Sequence, residues 1–247
     1  WFSAKPLKGK RILVTQPQKK QSKFLGMLRE LGADAVGYPC IETEPVRPLE
    51  ADPGPYSVLV FTSAAGVDSY FSWLEETGRD ARCLFGKKIF CVGSQTAAEW
   101  KKHGITADFV PSVYDGEHLA RELLAAGAAG KGDRFLLLRA DIASPELPEI
   151  LRENGMDVTE TAVYRTKAVC GENPPDLSQF DVVTFTSKSC VEGLARSLGR
   201  QDFTGIKALC IGAKTAACAE RYGFTVVTSE KATLQSMAEE LIRLERI

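Results

Sequence analysis

Four short segments of this 247-residue chain place small, neutral hydrogen-bond donors directly after an apolar run. Each is followed by residues with helical spacing, so each predicts a turn from a buried strand into a helix. Two of the segments share Phe-Thr-Ser and two begin with glycine: Phe61-Thr62-Ser63, Phe185-Thr186-Ser187, Gly93-Ser94-Gln95-Thr96 and Gly212-Ala213-Lys214-Thr215. Amides in the first turn of a helix lack partners and carry partial positive charge, so they bind anions. These segments therefore predict recognition of a ligand with several negative charges.

An alternative explains the same serines and threonines as simple helix caps. Four such turns in two matched pairs favour a binding site over capping alone. The pattern G-x-x-x-x-G-K-[ST] is absent, and no G-x-G-x-x-G follows a predicted strand. These absences argue against a phosphate loop and a dinucleotide site.

Two further side chains are candidates for chemistry. Tyr164 lies in Val163-Tyr164-Arg165-Thr166 and is either a packing residue or a hydrogen-bond donor facing a cleft. Arg139 follows an apolar run, so it either binds a ligand carboxylate or forms a structural salt bridge with Asp141 or Glu146. The two histidines, His103 and His118, are expected at the surface, and no Ser-His-Asp arrangement is visible.

The elements that position these residues repeat along the chain. The two Phe-Thr-Ser segments lie 124 positions apart, and Lys88–Thr106 matches Lys207–Thr225 at eight of 19 positions. A third match pairs the apolar run after Arg11 with that after Arg134, which gives two copies near 11–126 and 134–243. Apolar strands alternating with amphipathic helices predict two flavodoxin-like α/β domains with parallel sheets. Residues 39–48 and 156–169 fit poorly and are predicted to be connections between domains, not core strands.

Composition excludes several other classes of protein. Lys plus Arg is 31 and Asp plus Glu is 32, so no global basic field is present to bind nucleic acid. No stretch approaches the roughly 20 apolar residues of a membrane helix. The seven cysteines form no C-x-x-C pair, so we expect reduced thiols in the core of a cytoplasmic protein and no metal site.

The chain resembles the uroporphyrinogen-III synthase family over nearly its full length. The resemblance rests on the order and spacing of six segments: Ile12-Leu13-Val14-Thr15, Phe61-Thr62-Ser63, Gly93-Ser94-Gln95-Thr96-Ala97, Val163-Tyr164-Arg165-Thr166, Phe185-Thr186-Ser187 and Gly212-Ala213-Lys214-Thr215-Ala216. The opening residues 1–11 also look like the junction in bacterial fusions with a uroporphyrinogen-III methyltransferase. The expectation is a chain fused to, or working beside, that enzyme.

The resemblance implies a reaction and a fold. The family closes hydroxymethylbilane, a linear tetrapyrrole with eight carboxylates, inverts the last pyrrole ring and releases water, without cofactor or metal. Its two α/β domains are joined by a two-stranded linker and hold the site in the cleft between them. In that fold the domains are residues 1–38 with 168–247, and residues 42–164.

The resemblance also implies roles for residues. Tyr164 assists departure of the terminal hydroxyl as a hydrogen-bond donor. By the same resemblance, Ser63, Thr96, Ser187 and Thr215 contact the substrate's carboxylates. Their positions at strand ends add further residues to the predicted substrate-binding set: Thr62, Gly93, Ser94, Gln95, Arg139, Lys188, Gly212, Ala213 and Lys214. The family often has Thr-Arg-Pro where this chain has Thr15-Gln16-Pro17, which puts a carboxylate contact from Gln16 in doubt.

Two other functions stay open at this point. A binding or sensing module could use the same arrangement for a polycarboxylate without turnover. A nucleotide-sugar or phosphate enzyme is disfavoured, because the phosphate loop and acidic metal ligands are missing.

Overall fold

Strands and helices alternate along almost the whole chain in a computed structural model that describes residues 5–169, 171 and 173–244. The strands are β1 (Arg11–Val14), β2 (Asp34–Gly37), β3 (Ile41–Pro45), β4 (Val58–Phe61), β5 (Lys88–Cys91), β6 (Arg134–Ala140), β7 (Asp157–Ala168), β8 (Val182–Phe185), β9 (Lys207–Cys210) and β10 (Thr225–Thr228). The helices are α1 (Gln18–Glu30), α2 (Ala64–Glu76), α3 (Ser94–Lys102), α4 (Gly116–Ala125), α5 (Glu146–Glu153), α6 (Lys188–Leu198), α7 (Ala213–Arg221) and α8 (Leu234–Leu244).

The chain forms two compact units. The first unit is discontinuous and combines Trp1–Glu42 with Thr166–Ile247, whereas the second unit is the continuous segment Thr43–Arg165. The chain passes from one unit to the other within β3 and again within β7. The predicted fold class of two α/β domains with parallel sheets is confirmed.

The sheet of the first unit has the strand order β10-β9-β8-β1-β2, and all of its pairs are parallel. Numbered along the chain from the β2 edge, this order is second, first, third, fourth, fifth, as in flavodoxin. The amino-terminal strands β1 and β2 therefore belong to a sheet whose other three strands come from the carboxyl-terminal part of the chain.

The second sheet has the order β3-β7-β6-β4-β5. Its strands β5, β4, β6 and β7 pair in parallel. The matched sequence segments occupy matching positions in the two sheets, because β4 lies between β5 and β6 as β8 lies between β9 and β1. An isolated bridge between Phe90 and Phe109 stands beside β5 where β10 stands beside β9.

Each sheet is buried on both faces, which is why its central strands read as uninterrupted apolar runs. In β4 the four residues are fully buried: Leu59 and Phe61 pack into the cluster around Trp100, and Val58 and Val60 into the cluster around Leu119. The alternation follows from the two-residue period of a strand. Burying each such side chain contributes roughly 1.5–3 kcal/mol.

The prediction for residues 156–169 is wrong in its first half. Residues 157–162 of β7 pair in register with residues 134–139 of β6, so they form a strand of the sheet and not a connection. Within residues 39–48, β3 is likewise an edge strand of the second sheet. The prediction was wrong because β7 carries polar residues and is only partly buried, so its sequence lacks the continuous apolar run of a core strand.

The core position expected for the cysteines holds for most of those that the structure describes. Six cysteines are free thiols and five of them are buried, namely Cys40, Cys91, Cys190, Cys210 and Cys218, whereas Cys170 lies outside the described residues. None of the helices in the described part of the chain combines the length and apolar character needed to cross a membrane.

Candidate functional site

Three of the predicted site segments lie at one edge of the second sheet. Ser63 follows β4, Gly93 follows β5, and Arg139 is the second-last residue of β6. Because these strands are parallel neighbours, their carboxyl ends lie at the same edge of the sheet. Helices α2 and α3 also begin at this edge. In the first unit, Ser187 and Gly212 follow the neighbouring strands β8 and β9 in the same way.

The two serine turns are capped by their own side chains. Ser63 Oγ accepts the backbone N–H of Gly66 at 3.1 Å, and Ser187 Oγ accepts that of Cys190 at 3.3 Å. Capping is therefore part of what both serines do, and each cap contributes about 1 kcal/mol to its helix. One lone pair of each hydroxyl is already used, so the capping role offered as an alternative from the sequence applies to both serines.

The two glycine turns differ from the serine turns. Among the described residues no side chain caps the first turn of α3 or α7. Thr96 and Thr215 are only 5% and 6% exposed, so their side chains face inward. Backbone amides are thus the groups these turns offer to a ligand, as expected for an anion site at a helix amino end.

The reason for glycine also differs between the two turns. A Cβ at Gly212 meets no atom within 4 Å, so this backbone is open to approach. A Cβ at Gly93 would lie 3.3 Å from the Cβ of Tyr114. Contact with this half-exposed tyrosine therefore limits the size of the side chain that fits at Gly93. Among the other residues predicted in these turns, Thr62 is half-buried. The rest are exposed, namely Ser94, Gln95, Lys188, Ala213 and Lys214.

A β-bulge places Tyr164. Arg139 pairs with Ala162, but the next residue of β6, Ala140, pairs with Tyr164, so Val163 is an extra residue in β7. The N–H of Asp141 donates to the carbonyl oxygen of Tyr164 at 3.0 Å and fixes the strand beyond the bulge. Bulges of this kind redirect side chains next to functional sites. Here the tyrosine ring packs on the core of the second unit and its hydroxyl reaches the start of α2.

Tyr164 Oη accepts a hydrogen bond from Ser63 Oγ at 2.9 Å. Burial raises the pKa of Tyr164, and the hydrogen bond from Ser63 opposes that rise without cancelling it. The Asp141 carboxylate also raises this pKa, and Arg139 lowers it. The net pKa is above the usual value, so at neutral pH Tyr164 is an uncharged phenol. It can donate a proton in a hydrogen bond and is not a base.

Arg139 is buried within a structural network. Its Nη1 donates to Glu160 at 2.7 Å and its Nη2 donates to the carbonyl oxygen of Ser144, while Arg152 binds the other oxygen of Glu160 at 2.9 Å. Its side chain is only 7% exposed, and Nε has no partner among the described residues. The sequence did not point to Glu160, which lies in the strand that had been predicted as a connection.

The edge of the first unit contains a thiol that sequence reasoning missed. Ser187 Oγ donates to Cys190 Sγ at 3.3 Å, where Ser63 in the other unit donates to a phenol. Burial raises the pKa of the Cys190 thiol, which is therefore protonated at neutral pH. Gln16 is also buried, and its Oε1 has no hydrogen-bond partner within the described residues. The sequence did contain a signal for this contact, because Cys190 lies three residues after the capping Ser187.

Two surface features lie apart from these turns. Asp68, Glu99 and His103 bring possible metal ligands within 4.8 Å of one another, but Lys102 Nζ already binds both oxygens of Glu99 at 2.8 Å. A hollow of about 600 Å³ opens near Lys87 at the opposite edge of the second sheet. None of the predicted site residues lines that hollow.

Comparison with known proteins identifies the family. The family profile HEM4, described as uroporphyrinogen-III synthase HemD, matches residues 22–239. The chain belongs to the uroporphyrinogen-III synthase HemD family. The resemblance inferred from the six sequence segments is thereby confirmed.

Relatives within the HemD family match most of this chain or nearly all of it. A porphyrin biosynthesis protein HemD of Ruminiclostridium josui is 37% identical over 99% of this chain. The chain spans only 50% of the length of that relative. A uroporphyrinogen-III synthase of Chlorobaculum parvum is 26% identical, and the match covers 88% of this chain and 91% of the relative.

Solved structures in the HemD family have the same fold. A mutant uroporphyrinogen III synthase of Thermus thermophilus matches with a TM-score of 0.65 at 20% identity, covering 96% of this chain and 100% of that one. The uroporphyrinogen-III synthetase of Helicobacter pylori also gives 0.65, at 22% identity, covering 95% and 99%. At these identities the likeness concerns the fold alone.

Proposed function

We propose that this chain closes hydroxymethylbilane to uroporphyrinogen III, with inversion of the last pyrrole ring and loss of water. Membership of the HemD family supports the reaction. The structural observation that carries the proposal is the hydroxyl of Tyr164, an uncharged phenol whose oxygen accepts a hydrogen bond from Ser63. A neutral donor of this kind suits the departure of a hydroxyl group.

Tyr164 assists the first chemical step in this proposal. The bond between the terminal carbon and its hydroxyl oxygen breaks while electrons from the pyrrole nitrogen form an azafulvene. The azafulvene loses the pyrrole N–H proton, which together with the departing hydroxide makes up the water released. Tyr164 stabilises the charge that develops on the departing oxygen by donating a hydrogen bond. The substituted carbon of the last ring then attacks the azafulvene methylene and forms a spiro intermediate. The bond from this carbon to the methylene bridge of the preceding ring breaks, that methylene bonds to the unsubstituted carbon of the last ring, and loss of that carbon's proton completes the inverted ring.

The amide turns orient the substrate. In the proposal, the first-turn amides after Gly93 and Gly212 bind propionate and acetate side chains of the tetrapyrrole. Each charge-assisted hydrogen bond contributes on the order of 1.5–3 kcal/mol. Hydroxymethylbilane cyclises unaided to the uninverted isomer, so selection of one conformer is the main task. Orientation can supply roughly 7–11 kcal/mol in favourable cases, and the proposed reaction uses no cofactor.

One assay tests the proposal. The chain is supplied with freshly prepared hydroxymethylbilane, and the uroporphyrinogen isomers are separated after a time course. We expect type III product, formed faster than the spontaneous reaction. Type I product alone, at the spontaneous rate, contradicts the proposal and leaves the binding module without turnover as the function.

We also propose three features of the protein's setting. The segments 1–38 with 168–247 and 42–164 fold as its two domains, which the compact units support. The reaction occurs in the cytoplasm, supported by the free thiols of the described cysteines. The chain works fused to or beside a uroporphyrinogen-III methyltransferase, and the greater length of the Ruminiclostridium josui relative is compatible with a fusion. Reading the full gene tests the last feature.

A further inference from the structure

We propose that Ser63 is a positioning residue, whose hydroxyl directs the proton of Tyr164 away from α2 and toward the departing group of the substrate. The inference deepens the proposed function and rests on it. It assigns Ser63 a role in the leaving-group step, which differs from the carboxylate contact expected from the sequence.

The geometry fixes the direction in which Ser63 donates. The N–H of Gly66, in the first turn of α2, donates to Ser63 Oγ at 3.1 Å, so the hydroxyl acts as an acceptor toward the helix. Its own proton points the other way and reaches Tyr164 Oη at 2.9 Å. Donors aligned in one direction polarise one another, and this series begins at the positive end of a helix.

The consequence for Tyr164 is an oriented proton. A phenol has one proton, and the oxygen that accepts from Ser63 keeps that proton available for another acceptor. Within the described part of the chain Ser63 is the one hydrogen-bond partner of Tyr164 Oη. Accepting a hydrogen bond also makes the phenol a stronger donor. The charged groups facing it are Asp141 and Arg139, one of each sign.

The other unit shows that capping alone does not require this arrangement. Ser187 caps α6 as Ser63 caps α2, but its hydroxyl donates to Cys190 Sγ, and no phenol of the described residues takes part. The duplicated turn therefore keeps the cap in both copies and carries the bond to a tyrosine in only one of the two. A role in capping cannot account for the contact between Ser63 and Tyr164.

Replacement of Ser63 tests the role in the intact chain. We expect Ser63→Ala to lower kcat about tenfold with KM within twofold, since one oriented hydrogen bond of about 1.4 kcal/mol is lost. Ser63→Thr keeps the hydroxyl and should restore kcat. Ser63→Gly keeps a residue that tolerates the capping position but removes the hydroxyl, so it should reproduce the loss.

A matched control separates this role from helix capping. Thr233 Oγ1 caps α8 by accepting the N–H of Ser236 at 3.1 Å, and α8 belongs to the other unit. Thr233→Ala should lose similar stability yet keep kcat. If Ser63→Ala and Ser63→Gly also keep kcat, the positioning role is wrong.

A spectroscopic measurement keeps the inference separate from the proposed function. Titrating tyrosinate absorbance in the chain and in Tyr164→Phe isolates the Tyr164 transition by difference. Ser63→Ala should raise this pKa further, because the donor that stabilises the phenolate is gone. An unchanged titration overturns the inference whatever the activity. If the unsubstituted chain yields only type I product, the proposed function fails, and the titration still decides whether Ser63 donates to Tyr164.

Discussion

Thr15 donates its hydroxyl to the carbonyl oxygen of Thr184 at 2.7 Å, although the two residues lie 169 positions apart. Thr184 in turn donates its hydroxyl to the carbonyl oxygen of Leu13 at 3.0 Å. Both threonines are fully buried, at the junction of β1 and β8. These side-chain bonds add to the ladder that holds the amino-terminal strand in the discontinuous unit.

Thr184→Val should therefore destabilise the protein. Valine has nearly the same shape as threonine, but it removes the hydroxyl that donates to the buried carbonyl oxygen of Leu13. Losing the donor to a buried acceptor costs about 1–3 kcal/mol. Urea denaturation measures the loss as a lower midpoint with an unchanged slope. Thr225→Val, the same change at an exposed position of β10, should stay within about 0.5 kcal/mol. Equal effects at both positions contradict a role for the bond.

Tyr164→Phe should slow turnover far more than it weakens product binding. In the proposed reaction the phenol acts only while the hydroxyl departs, so we expect kcat to fall about 100-fold. The dissociation constant of the product should change by less than about threefold, because the product has lost that hydroxyl. Tyr56→Phe, just before the amino end of β4, is the control and should leave both quantities unchanged. An equal loss in turnover and product binding argues against a leaving-group role.

Gly212→Ala should raise KM while the fold stays intact. The backbone at Gly212 is extended and a Cβ meets nothing within 4 Å, so alanine fits the free protein. The proposed function places a substrate carboxylate at the first turn of α7, where the methyl group should obstruct it, and losing one such bond should raise KM about tenfold. Gly26→Ala, inside α1 with equal space, should leave KM unaltered while adding about 1 kcal/mol of stability. An unaltered KM in Gly212→Ala would exclude this turn as a carboxylate site.

Asp133 should make stability depend on pH. Burial alone raises its pKa, but hydrogen bonds from the Ser57 hydroxyl and the Gly130 amide, with the charge of Lys88, lower the pKa below its usual value. A lowered folded pKa means that the carboxylate stabilises the fold above the unfolded pKa of about 4. That stabilisation disappears as the pH falls through the folded pKa.

Asp133→Asn cannot titrate, so its unfolding free energy should fall less between pH 5 and pH 2 than that of the unsubstituted chain. Ser57→Ala keeps the carboxylate but removes the first of the groups that lower its pKa, and should give an intermediate slope. Urea denaturation across this pH range measures both. Parallel curves for all three proteins are incompatible with the assigned pKa shift.

The central strands could be predicted from the sequence, but some edge strands could not. β4 and β8 consist of four buried residues each and are bounded by turn residues, which predicts a doubly covered strand. β2 and β10 are short and partly exposed, so they give no comparable apolar run. Their position depends on pairing with β1 and β9, which is a long-range contact.

The sequence pointed to candidate residues for a site, but not to the contacts between them. Ser63 and Tyr164 were both candidates, yet their hydrogen bond depends on the extra residue Val163 in the bulge. The partner of Arg139 was missed for a related reason, since Glu160 faces it only because β7 pairs with β6. Local patterns carry no signal for the register of a neighbouring strand.

The discontinuous unit imposes an order on biosynthesis. At roughly 5–20 residues per second, a ribosome that has added Thr15 needs about 10–30 s to reach Thr184, 169 positions later. The continuous segment 43–165 is complete within that interval, whereas β1 still lacks β8. Nascent chains should therefore show a protease-resistant second unit before the first strand is protected, and a circular permutant that starts near residue 166 should abolish the delay.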